Sequence, residues 1–157
     1  MPGGGQRWWL CVAPAAACAL DAGLTLVYQP AAYWAGAADA VNEISPIDRW
    51  MLVQHPLVFV AWVASWITAF SVVIRCLPTR VGMAVALTLI LGNVSGAYSW
   101  VSWRVPSGFA VSYGMDLFIA ALIVVTWAKA GVLASGKGVA EPTSAPDPAG
   151  ISRSGNS

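Results

Sequence analysis

Four long apolar blocks, at about residues 8–29, 52–74, 81–102 and 112–133, decide what this 157-residue chain can fold into. Each is long enough to cross ~30 Å of hydrocarbon as a helix rising 1.5 Å per residue. Hydrocarbon offers the backbone no water, so a single-chain segment can cross it only with its hydrogen bonds closed internally. The apolar residues also fall in continuous runs rather than in the stripes of a soluble helix. The expected fold is therefore an all-α membrane protein, a four-transmembrane-helix bundle formed by residues 1–134. Composition agrees: 58% of residues are hydrophobic and 10% charged, against about 25% charged in soluble domains. A net charge of +1, with no dense basic run, argues against nucleic acid as a partner. The lipid bilayer is the expected partner. Residues 135–157 are Ser, Gly, Pro and Ala with scattered charge, and lack the apolar material to fold. They are expected to form a disordered cytoplasmic tail.

The first block admits a second reading. Arg7, the apolar run and Ala17-Cys18-Ala19 look like a signal peptide with a small-residue cleavage site. The run continues to Val27, beyond what a cleaved signal needs, so a retained span is expected. Cys11, Cys18 and Cys76 have neither metal-type spacing nor an even count, and read as buried or lipid-facing thiols.

Between the first two blocks the chain is aromatic and acidic. Tyr33, Trp34, Ala37, Ala38 and Val41 have helical spacing, which predicts a short interfacial helix within residues 31–41. Ser45-Pro46-Ile47-Asp48 reads as a helix start, with Ser45 capping, Pro46 in the first helical position and Asp48 facing the exposed N–H groups. The same helix is expected to continue into the second block with a kink at Pro56, whose ring excludes a hydrogen bond to the Leu52 carbonyl.

Four spans place both termini on one side. That side carries Arg7, Arg75, Arg80, Lys129, Lys137 and Arg153, and the other only Arg49 and Arg104 with Asp39, Glu43 and Asp48. The positive-inside rule puts the richer side, and both termini, in the cytoplasm. The expected location is the bacterial cytoplasmic (inner) membrane.

This orientation gives the embedded polar residues a common depth. Asp21, Thr25, His55, Asn93 and Asp116 all fall in the outer half of the bundle, beneath Asn42 and Glu43 of the loop. A lone carboxylate facing lipid costs several kcal/mol, so Asp21 and Asp116 are expected to face inward. These residues, with Gln29 continuing the Asp21–Thr25 face, predict an outward-facing polar pocket. They supply no complete catalytic set. A lone His55 provides neither paired haem ligation nor a zinc site, and no His-Glu-x-x-His or Gly-x-Ser-x-Gly occurs. No cofactor or metal is expected. The pocket supports a ligand site, an interhelical hydrogen-bond network, or acid/base chemistry by Asp21, Glu43 and His55.

Small residues form seams: Thr88, Gly92, Ser95, Ser99 and Ser102 with a Gly92-x-x-x-Gly96 match, Ala15, Ala19 and Gly23, and Ala61, Ser65 and Ala69. Such seams let helices approach closely, within the bundle or against a second copy or another membrane protein.

Two short motifs carry a resemblance. Asp21-Ala22-Gly23-Leu24-Thr25 in the first block and Glu43-Ile44-Ser45-Pro46 before the second resemble the Asp-x-x-Leu-Thr and Glu-x-Asn-Pro elements of a domain-of-unknown-function family of small bacterial and archaeal integral membrane proteins. Ser45 stands where that family has Asn, and the intervening loop is longer. The resemblance covers the first half of the chain. It implies a helical membrane bundle, draws attention to Asp21, Thr25 and Glu43, and implies no activity. The resulting expectation is a small polytopic membrane protein acting as a non-enzymatic binding or accessory component, with an intramembrane enzyme acting on a lipid or envelope intermediate as the alternative.

Overall fold

In a computed structural model describing residues 7–102 and 104–131, every regular element is helical. The expected tail at residues 135–157 lies outside the described residues. Helix α1 spans Arg7–Val27, its first turn 3-10 over Arg7–Cys11 and the rest α over Val12–Val27. Pro14 cannot donate to the Leu10 carbonyl, which accounts for the change of helix type there. A four-residue helix α2, Ala31–Trp34, and a 3-10 turn, Ala38–Ala40, follow. Helix α3 is Pro46–Gln54, α4 is Pro56–Cys76, α5 is Thr79–Ser102 and α6 is Gly108–Lys129. Helices α1, α4, α5 and α6 are each long and apolar enough to cross a membrane.

Three of these boundaries correct the sequence reading. The interfacial helix expected across residues 31–41 is only one turn long, because Gly36 adopts φ +100 and ends it. The helix begun at Pro46 does not kink into the second span but breaks, with His55 fully extended between α3 and α4. Pro56 disfavours a helical conformation in the residue before it. The fourth span begins at Gly108, a turn before the expected Ser112, and ends at Lys129. Gly131, at φ 74, donates to the Ala128 carbonyl and closes that end.

Helices α1 and α5 form a central pair. Helix α4 packs along one flank of this pair and α6 along the other, and α4 and α6 do not touch. Burial follows: 39% of the α1 span is enclosed but only 11% of α4. The central approach is close because Ala13 and Ala17 on α1 and Ala86 and Ala97 on α5 present almost no side chain. These are not the residues of the expected seams. Thr88, Gly92 and Ser95 face outward, as do Ala19, Ala61, Ser65 and Ala69, while Ser99 is exposed toward the space between α1, α4 and α5. The exposed hydroxyls of Thr88, Ser95 and Ser99 donate to carbonyls of their own helix at 3.0, 2.7 and 2.6 Å, which leaves them satisfied without water.

The apolar packing is layered along the bundle. At one end Leu10, Ile74, Ala86 and Trp127 cluster; mid-bundle, Ala13, Ala17, Ile90 and Ile119 do; at the far end Tyr33, Val41, Leu52 and Phe59 seat the loop and α3 on α1 and α4. The first end is basic: Arg7 donates to the Leu77 carbonyl, and the Lys129 ammonium lies 4.4 Å from the Trp9 ring centre. At this end α4 and α5 meet so closely that a Cβ on Gly82 would stand 2.8 Å from the Ile74 carbonyl oxygen. At the other end they enclose a chamber.

Candidate functional site

The chamber has a volume of about 710 Å³ and is walled by α1, α4 and α5, with the Asn42–Asp48 segment as its roof. Its construction begins with Gln29, just past the end of α1. The buried Gln29 side chain donates to the Asn42 carbonyl at 3.3 Å and accepts from the Asn42 N–H at 3.0 Å, tying the returning loop to α1. Its amide also donates to the Thr25 carbonyl at 3.0 Å, one of the carbonyls left over at the helix end. Glu43 then accepts from the Ser45 N–H at 2.8 Å, and Ser45 caps α3 by accepting from the Asp48 N–H at 3.4 Å. The Tyr33 hydroxyl donates to the Leu52 carbonyl at 3.0 Å. This is the carbonyl that Pro56, having no N–H, leaves unpaired. Burial pushes the Tyr33 phenol above its usual value.

Asp21 lies two turns below the end of α1, and its carboxylate rests on the α5 backbone. A Cβ on Gly96 would lie 2.7 and 2.8 Å from the two carboxylate oxygens. Gly96 thus makes space for a carboxylate rather than for another helix. Asn93, one turn deeper on α5, donates to the Leu89 carbonyl at 2.7 Å. Arg104 closes the rim: its guanidinium donates to the Tyr28 carbonyl at 2.6 Å and lies 4.6 Å from the Trp100 ring centre. That contact caps the negative end of α1 with a cation. Phe59, Trp62 and Trp66 supply an aromatic wall on α4.

Of the residues picked from sequence, Asp21, Thr25, Asn42, Glu43 and Asn93 come together at the chamber. His55 and Asp116 do not. His55 is exposed, and its Nδ1 accepts from the Leu57 N–H at 3.1 Å as the cap of α4. The extended conformation imposed by Pro56 turns it away from the chamber wall. Asp116 is exposed on α6. The buried line of that helix passes through Ser112, Ile119 and Thr126, and Asp116 falls to one side of it. Helix α6 in any case takes no part in the chamber.

Asp48, Gly96, Trp100 and Arg104 belong to the chamber but were not among the residues picked. Asp48 reads from sequence as a helix-start carboxylate and Arg104 as a loop charge. The available signal was the acidic set Asp21, Glu43 and Asp48 on the same side of the bundle as Arg49 and Arg104. Among the described residues no group of three His, Cys, Asp or Glu side chains is placed to hold a metal ion.

Comparison with known proteins finds no matching family model, curated protein or solved structure. The reading of the site therefore rests on its geometry.

Proposed function

We propose that this chain is a non-enzymatic, multi-pass protein of the bacterial inner membrane that binds a small ligand in the Asp21 chamber, with both termini in the cytoplasm. The observation carrying this reading is the chamber itself: about 710 Å³ between three helices, with Asp21 on its α1 wall and Arg104 at its rim. A network serving only to fix helix register calls for helices packed directly against one another rather than for a recess of this size between them. Acid/base catalysis is less well supported. Of its three candidate groups Asp21, Glu43 and His55, the last lies outside the chamber as a helix cap. The orientation follows the positive-inside rule, with Arg7, Arg75, Arg80 and Lys129 at the cytoplasmic end and the chamber at the other. In that orientation α2 and the Tyr33–Trp34 pair lie at the outer interface, where aromatic rings concentrate. Kinship with the domain-of-unknown-function family is part of the proposal; three of its motif residues, Asp21, Thr25 and Glu43, line the chamber.

Native mass spectrometry of the full chain extracted from its own membrane tests the reading. The wild type is expected to retain a bound small molecule or lipid that Ser99→Trp, which fills the chamber from α5, does not retain. A wild type free of any bound species, or equal retention by both proteins, overturns it.

A further inference from the structure

Below the chamber a shallow apolar cleft continues between α1, α4 and α5, as far as Cys11, Ile74 and Leu89. Cys18, Trp66 and Asn93 line both spaces, so the two are continuous. From Trp66 to Ile74 the cleft runs about 12 Å along α4. Its enclosed volume is only about 20 Å³, so anything lying along it keeps one side toward the surroundings of the bundle. The chamber, with its three carboxylates, and the apolar stretch beneath it together have the outline of an amphiphile.

The charge of the chamber selects the head. Asp21, Glu43 and Asp48 line it against one cation, Arg104. That guanidinium is already engaged by the Tyr28 carbonyl and the Trp100 ring. An anionic head would meet three carboxylates. A cationic head would meet them together with the rings of Phe59, Trp62 and Trp66, whose faces attract ammonium groups. Resting on the reading of the chamber as a binding site, we propose that its ligand is an alkyl amphiphile with an ammonium head, the head in the chamber and the chain along the cleft. The same chemistry is carried by an aminophospholipid of the membrane and by a soluble long-chain amine.

The test uses the full chain purified in neutral maltoside micelles, with thermal unfolding as the readout. Dodecyltrimethylammonium, dodecanoate, dodecanol and tetramethylammonium are titrated separately, the two twelve-carbon ions below their micellar concentrations and dodecanol below its solubility limit. Dodecyltrimethylammonium is expected to bind about tenfold tighter than dodecanoate, the preference expected from one favourable charge contact. Asp21→Asn should remove most of that preference. Asp48→Asn, on the partly exposed roof, provides the same test if Asp21→Asn fails to fold. Phe70→Ala, which lines the cleft but not the chamber, should weaken both twelve-carbon ions alike. Equal binding of dodecanoate or dodecanol overturns the ammonium head while leaving the chamber a binding site. Equal binding of tetramethylammonium overturns the role of the cleft. If none of the four binds the wild type, the proposal fails together with the reading beneath it. Lipid extraction of the purified protein separates the two sources. Enrichment of aminophospholipid over phosphatidylglycerol identifies the membrane lipid, and binding of the probe without such enrichment identifies a soluble amine.

Discussion

Gly96 and Gly92 lie one helical turn apart on α5 and do different things. A Cβ on Gly96 meets the Asp21 carboxylate at 2.7 Å, whereas a Cβ on Gly92 meets nothing within 4 Å. Gly96→Ala must push a short, mobile carboxylate aside into the chamber, so stability should change by no more than about 1 kcal/mol while ligand retention falls. Gly96→Leu has no such relief and should cost about 1–3 kcal/mol. Gly92→Leu should stay within about 0.5 kcal/mol. Reversible unfolding of the three variants in micelles measures the contrast. Loss of stability at Gly92 alone would mean that the Gly-x-x-x-Gly stripe, not the Asp21 contact, is the packed surface. Tyr33 is the second informative residue. Tyr33→Phe leaves the Leu52 carbonyl unpaired and should cost about 1–1.5 kcal/mol near neutral pH. Burial raises the Tyr33 phenol above its ordinary value, so the folded state favours the neutral form. That stability is fully present below about pH 10 and is lost as pH rises through the folded value. The difference between wild type and Tyr33→Phe should therefore shrink above about pH 10, as read by paired unfolding curves. A difference that grows with alkalinity would contradict the bond.

At the scale of elements, the roof over the chamber is held by few bonds. Gln29 makes both hydrogen bonds to Asn42, and the pair Glu43–Ser45 fixes the start of α3. Gln29→Ala should raise amide exchange at Asn42 through Ser45 while leaving the mid-bundle amides of α5 and α6 unchanged. Uniform deprotection would show instead that Gln29 supports the whole bundle. The elements also show what could be read from sequence. Four spans were legible because apolar length alone decides membrane crossing. Ser45-Pro46 was legible as a helix start because a cap is a local hydrogen bond, and the structure has it. The break at His55 was less so: Pro56 announces a disturbance, but kink and break differ only in where α3 packs. That is settled by Tyr33, Val41, Leu52 and Phe59 coming together from distant parts of the chain. Helix faces were the least legible. Small residues occur on every side of α1 and α5, so spacing named Thr88, Gly92, Ser95 and Gly96, of which only Gly96 lies against α1, while contact also chose Ala86 and Ala97. Asp116 failed for the same reason, since a span apolar all round gives no signal of which face turns inward.

For the whole molecule, the central pair of α1 and α5 leaves α4 and α6 as flanks with most of their surface outward. The outward faces carry apolar side chains and self-bonded hydroxyls, a surface suited to lipid. One end gathers Arg7, Arg80 and Lys129, and the other gathers the chamber with its carboxylates. In the proposed orientation these ends face opposite sides of the membrane, with the chamber open away from the cytoplasm. Cys76, exposed at the basic end of α4, and Ser99, exposed and lining the chamber on α5, mark the two ends. Ser99→Cys, treated in intact cells with a membrane-impermeant thiol reagent, is the most direct measurement. Labelling of Cys at position 99 from outside, with Cys76 reacting only after the cells are opened, is the expected result. Labelling of Cys76 in intact cells, with position 99 silent until lysis, would contradict an outward-facing chamber.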